Sequence, residues 1–263
     1  MGWLQFGRRL IGRRVHHDAT EQLIFASYLA PSLRPLYAFV AEACGAAPLI
    51  DGRDWRDLAA GDIDAAFVCS PPLVWLGDAV EAIAAPILAD ARFGGLPLYC
   101  SDVVVSRDSS FQSLADLRGA RWAYNESSSW SGYWVVLARV GDWSYFGEVV
   151  PAGFHARALR MVASGEVDGA AIDCHVLAVE LRDHPELGER LRIIESLGPA
   201  PIQPVVVRST LNRRLKAEVR ERILALSGPP IERFYVDRFG PPPDYSRIAA
   251  VVSGKASLSS GGS

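Results

Sequence analysis

The sequence predicts an α/β protein of two lobes joined by two hinge crossings, and three observations lead there. From residue 22 onward, short β-branched and aromatic runs alternate with helically spaced segments, the pattern of strands covered by helices in a mostly parallel sheet. The alternation falls into two sets, at roughly 22–103 and 106–200, and the later run PIQPVVVRS returns to the first set. The segment LPLYCSDVVVSRD is long and extended, as a strand leaving one body for another would be. The expected division is 20–104 plus 204–250 for one lobe and 105–203 for the other, with flexible ends at 1–19 and 251–263. Two bodies linked twice enclose a cleft, the usual place for a ligand.

Each element has a local reason. QLIFASYL reads as a strand stopped by Pro31 and Pro35, and LRPLYAFVAEACG as a helix ending at a glycine suited to its C-terminus. PLID, IDAAFVCS, RWAYN and EVVPAG read as strands, and DWRDLAAGD as a short helix. PPLVWLGDAVEAIAA reads as one helix opened by proline. SFQSLADLRG is a short helix with Ser113 before it and Gly119 after it. SGYWVVLARVG and HARALRMVASGEVD are helices, GAAIDCHVLAVEL is a strand running into a helix, and LRIIESLG and PIQPVVVRS are strands. LNRRLKAEVRERILALSG is a terminal amphipathic helix with one solvated face. Trp55, Trp75, Trp122, Trp134 and Trp143 are expected in the core.

Composition limits the function classes. With 263 residues, 49% hydrophobic and 22% charged, the chain has the make-up of an ordinary globular protein with a sizeable core. A net charge of −3 with no basic stripe argues against nucleic acid as a partner. Every apolar run is broken well before the ~20 residues of a membrane span. The first twenty residues contain paired arginines but no apolar core after them, so as written they do not read as a secretory signal. Cys44, Cys69, Cys100 and Cys174 are too dispersed for a metal site or redox pair, which leaves buried thiols, with Cys69 and Cys100 as possible neighbours of the cleft. No cofactor is implied, and a monomer is expected.

The segment that carries chemistry is SSSWSGY, residues 127–133, between the strand RWAYN and the helix that follows. The carboxyl end of a parallel strand feeding a helix is where open α/β sheets bind ligands. Helix N–H groups, the helix dipole and serine hydroxyls together suit an oxyanion with several acceptor oxygens. Gly132 allows close backbone approach, and the motif itself has no cation. An ordinary serine N-cap accounts for the same residues equally simply.

The order LYCSDVVVSRDSSFQSLADLRGARWAYNESSSWSGY, then VPAGFHARALRMVASGEVDGAAID, then GPAPIQPVVVRS, resembles the phosphate/phosphite/phosphonate-binding group of ABC-transporter substrate-binding proteins. The similarity covers about residues 22–230 and implies a type 2 periplasmic binding protein fold. It implies that Ser129 and Ser131, where the family usually has Ser-Thr-Ser, hold a small oxyanion ligand, with Trp130 replacing the middle residue and Ser128 or the Trp130 N–H supplying the missing donor. It assigns His155 to the anion, so that binding would strengthen as pH falls through the imidazole pKa. It places Tyr99 at a hinge crossing; Ser27 and Tyr28 end the first strand and Ser70 the third, positions that should project at the cleft mouth. An ABC permease would be the partner of an exported protein, and the location would be periplasmic or extracytoplasmic, a cytoplasmic one also being open.

One departure bears on the ligand. Aminoalkylphosphonate binders of this family hold the ammonium group with carboxylates, whereas the matching positions here are His175 and Gln203, with Asp173 two residues from His175. A buried ammonium without a carboxylate costs several kcal/mol. The expectation is therefore a smaller oxyanion, or a ligand whose aromatic part stacks on Trp130 or Tyr133. Two other functions fit a two-lobed fold. One is a cytosolic enzyme acting on a small organic acid, with His155, His175 and Asp173 as acid or base; the other is a ligand-sensing module. No GxSxG elbow, P-loop or HExxH motif appears.

Overall fold

A computed structural model describes residues 22–254, so the expected flexible end at 1–19 lies outside the described residues, as does most of the other. In chain order the elements are β1 (Phe25–Ser27), α1 (Arg34–Ala43), β2 (Ile50–Asp51), α2 (Asp57–Ala60), β3 (Ala65–Phe67), α3 (Ser70–Leu76) and β4 (Val80–Leu88). Then come β5 (Leu98–Ser106), β6 (Arg121–Tyr124), α4 (Val135–Val140), β7 (Glu148–Pro151), α5 (His155–Ser164), β8 (Gly169–Asp173), α6 (Cys174–Asp183) and α7 (Pro185–Arg190). The chain ends with β9 (Leu191–Pro201), β10 (Val205–Arg208), α8 (Arg213–Leu224), α9 (Pro229–Glu232), β11 (Val236–Gly240) and α10 (Ser246–Val252).

These elements build two sheets, ordered β11-β4-β10-β3-β1-β2 and β7-β6-β8-β5-β9. The chain passes from the first to the second between β4 and β5 and returns between β9 and β10. In the first sheet β1 runs parallel to β2 and β3, and in the second β6 runs parallel to β7 and β8. All other pairings are antiparallel, so each sheet is mixed rather than mostly parallel. The reason lies in the crossings. A strand that arrives from the other lobe enters from the cleft side and must run against its neighbours.

Four expectations are corrected. The helix read over PPLVWLGDAVEAIAA ends at Leu76, because Gly77 takes a backbone conformation (φ 50°, ψ −129°) that breaks it, and VEAIAAPIL becomes β4. The expected lobe boundary at 104 falls inside β5, which pairs with β8 and β9 from Leu98 to Ser106. The amphipathic helix α8 is not the last element, since β11 adds to β4 and α10 follows, with Val251 buried where a flexible end was expected. Trp122 is fully buried beneath Phe146 (ring centroids 4.6 Å apart), whereas Trp75 is 40% exposed.

The short helix Leu114–Leu117 carries the capping box that its sequence predicts, with Ser113 and Asp116 bonding each other's backbone N–H groups. Among the described residues no helix is long and apolar enough to cross a membrane.

Candidate functional site

The parallel strands of both sheets point their carboxyl ends at one interlobe cavity of about 510 Å³. Strand β1 delivers Ser27 and Tyr28, the turn after β2 delivers Gly52 and Arg53, and the turn after β3 delivers Cys69. From the second sheet, β6 leads into Asn125, Glu126, Ser128, Ser129 and Ser131; β7 leads into Phe154 and His155; β8 ends at Asp173. Gln203, on the return crossing, completes this set.

The serine turn is built tightly. Ser129 is its N-cap, with the hydroxyl accepting from the Gly132 N–H at 3.1 Å, and the Trp134 N–H reaches five residues back to the Ser129 carbonyl, a π-type turn. Such single π-turns occur often at functional sites. Ser101 on β5 donates to the Ser131 carbonyl at 2.5 Å and so ties the turn to the central strand. A Cβ on Gly132 would overlap the Asn125 side chain and press on the His155 ring at 3.2 Å, so the close approach that this glycine permits is to its own neighbours.

The Ser131 hydroxyl lies 2.9 Å from His155 Nε2, and Asn125 Nδ2 donates to the same nitrogen at 3.4 Å. Because the amide nitrogen can only donate, Nε2 is the accepting nitrogen and the imidazole proton resides on Nδ1, which has no partner among the described residues. Burial pushes the His155 pKa down to about 3. The imidazole is thus a neutral donor at physiological pH, and the expected strengthening of binding by its protonation is not supported. Asn125 Oδ1 is likewise buried without a partner.

Asp173 caps α6 by accepting from the His175 and Val176 N–H groups, and takes a 2.6 Å bond from Gln203 Nε2. Burial raises its pKa to about 6 against the pull of those donors. Burial also raises the Glu126 carboxyl, with the Ser128 hydroxyl acting the other way. On the rim, Arg34 is bound to Asp51 at 2.7 Å.

Of the residues expected from sequence, Ser128, Ser129, Ser131, His155, Asp173, Tyr28 and Gln203 line this cavity. Six others do not. The Trp130 side chain is buried in the core, and only its N–H turns toward the other lobe, donating to Cys69 Sγ at 3.3 Å. Tyr133 packs on Tyr124, Trp134 and Trp143, and neither aromatic side chain is available to stack on a cavity ligand. Gly132 is sealed beneath Asn125 and His155. Tyr99 is fully buried on β5 with its hydroxyl toward Ser131, and Ser70 is fully buried in the first turn of α3. His175 bonds the Phe234 carbonyl at 2.6 Å. Cys69 reaches the cavity and Cys100 does not.

Sequence reasoning passed over Asn125, Glu126, Arg34 and Arg53, and Trp55, expected in the core, is half-buried on the cavity wall. Asn125 had a usable signal, since it ends a strand directly before the serine cluster.

The sequence pattern of ABC-transporter phosphonate periplasmic substrate-binding proteins matches residues 55–244. Among solved structures, the chain is similar to a binding protein component of an ABC phosphonate transporter from Pseudomonas aeruginosa, with 18% identity over 89% of this chain and 87% of that one and a TM-score of 0.73. It is also similar to PhnD1 from Prochlorococcus marinus in complex with methylphosphonate, with 16% identity, 89% and 99% coverage and a TM-score of 0.72. The protein XAC2383 from Xanthomonas citri, bound to ATP, aligns at 18% identity, 89% and 98% coverage and a TM-score of 0.65. These structural likenesses establish the two-lobed fold, and the match over most of the sequence establishes the family: the chain belongs to the periplasmic substrate-binding proteins of ABC phosphonate transporters.

Proposed function

We propose that this protein captures a phosphonate- or phosphate-like oxyanion in its cleft by closure of two hinged lobes, one on each sheet, and delivers it on the periplasmic side to an ABC permease. The observation that carries the reading is the convergence of Ser129, Ser131, Asn125 and His155 at strand ends in a cavity to which both sheets contribute. These groups supply neutral donors at the N-termini of the serine turn and of α5, where backbone dipoles favour negative charge. A neutral His155 with its proton on Nδ1 adds one more donor.

The contacts across the cleft describe how closure is held. The Trp130 N–H meets Cys69, Trp75 meets Trp134 edge to face at 6.3 Å, and Ser32 on one lobe donates to Glu180 on the other. Catalysis finds little support in the geometry. His175 is locked to a carbonyl outside the cavity, burial keeps His155 neutral, and Asp173 is committed to capping α6 and to Gln203.

Calorimetric titration of the ligand-stripped protein with phosphate, phosphite, methylphosphonate, 2-aminoethylphosphonate and sulfate tests the reading. Binding of a phosphorus oxyanion, weakened at least tenfold by Ser131→Ala, is expected, since a hydrogen bond to a charged group contributes about 1.5–3 kcal/mol. Heat-silent titrations with all five anions and an intact fold would overturn it.

A further inference from the structure

We infer that the preferred ligand carries its phosphonate on a bulky aromatic or otherwise apolar substituent, not on a hydrogen, hydroxyl or methyl group; this rests on the oxyanion reading above. The first reason is size. The lobes already touch at Trp130–Cys69 and Trp75–Trp134, yet the space between them is about 510 Å³. A tetrahedral oxyanion of five heavy atoms, at the ~30 Å³ that each water occupies, takes roughly 150 Å³. The remainder, roughly two thirds, is of the size that holds a drug-like organic group.

The second reason is the wall. Tyr28, Tyr37, Trp55 and Phe154 line the cavity with Pro31 and Pro72, an apolar surface that a bare anion leaves facing water. The Trp55 ring is held in place by Trp75 at 5.6 Å and by the Arg56 guanidinium 4.4 Å from its centroid. Phe154 directly precedes His155 and is 53% exposed, so a ring attached to an anion near His155 comes within its reach.

The third reason is charge. The cavity is lined by the carboxylates of Asp51, Glu126 and Asp173 against the cations Arg34 and Arg53, of which Arg34 is already engaged by Asp51. Such a lining opposes a polyanion, so the extra volume is not suited to further phosphate groups. An uncharged ring suits the volume and the wall and adds no further negative charge.

The experiment compares inorganic phosphate, methylphosphonate and benzylphosphonate by calorimetry on the full chain and on Trp55→Ala, Phe154→Ala and Ser131→Ala, each variant checked for unchanged melting. Benzylphosphonate is expected to bind at least tenfold more tightly than methylphosphonate, the gain that burying a ring provides. Trp55→Ala or Phe154→Ala is expected to cut that ratio at least fivefold, whereas Ser131→Ala weakens both phosphonates. Methylphosphonate or phosphate binding as tightly as benzylphosphonate overturns this inference and leaves the oxyanion reading standing. Absence of binding by all three overturns both.

Discussion

His155 and His175 are kept neutral by burial, with pKa values pushed down to about 3 and about 4, the second despite the Phe234 carbonyl. In the unfolded chain each takes up a proton near pH 6.5 that the native state refuses. Stability is therefore lost as pH falls below about 6.5, by roughly 1.4 kcal/mol per pH unit for each histidine. Asp173 acts with the opposite sign. Its native pKa of about 6 exceeds the unfolded value, so the folded state holds the proton more tightly, and ionisation costs stability as pH rises from about 4 to 6. Chemical denaturation at pH 7 and pH 5 should show a shallower acid loss for His155→Gln and a steeper one for Asp173→Asn. Tyr99→Phe offers a contrast, since the buried Tyr99 hydroxyl carries no charge and faces Ser131. Its removal is expected to cost no more than about 1.5 kcal/mol in the same measurement, with no change in pH dependence.

The serine turn is the element on which the proposed binding rests, and its shape follows from packing. Ser129 caps it, Ser101 anchors it to β5, and Gly132 lets Asn125 and His155 close over it. Gly132→Ala should destabilise the protein by about 1–3 kcal/mol, because the added methyl overlaps Asn125 in a filled interior. The same change should displace His155 and weaken oxyanion binding, so calorimetry and thermal melting are expected to move together. Ser70→Ala, also in a first turn but outside the cavity, should leave affinity unchanged and so separates loss of a hydroxyl from loss of the site.

Closure belongs to the whole molecule. Residues far apart in sequence meet across the cleft, including Cys69 with Trp130 and Trp75 with Trp134. Trp134→Ala removes the edge-to-face contact with Trp75, about 0.5–1.5 kcal/mol that the proposed closed form alone would gain, and leaves the Trp75–Trp55 contact in place. Small-angle scattering should show this variant as more expanded without ligand, and binding should weaken up to about tenfold as closure loses that contact. An unchanged scattering curve and affinity would mean that the other interlobe bonds suffice.

Alternating strand and helix signals, the serine cluster after RWAYN and the order of segments in the chain determined by themselves that this is a two-lobed α/β protein of the phosphonate-receptor family. Those signals are local, arising from side-chain periodicity, proline and glycine placement and capping, so they survive without coordinates. What the tertiary structure decided was the direction in which each side chain faces. It sent Trp130 and Tyr99 inward, packed Tyr133 among neighbouring rings and tied His175 to Phe234, while it turned Trp55 and Asn125 to the cavity. It also reversed the strands that cross between lobes and extended the first sheet with β11. Periodicity can show that a residue is at a strand end or on a helix, but whether that position meets the core or the cleft depends on the partner that packs against it, here about sixty residues away in the chain.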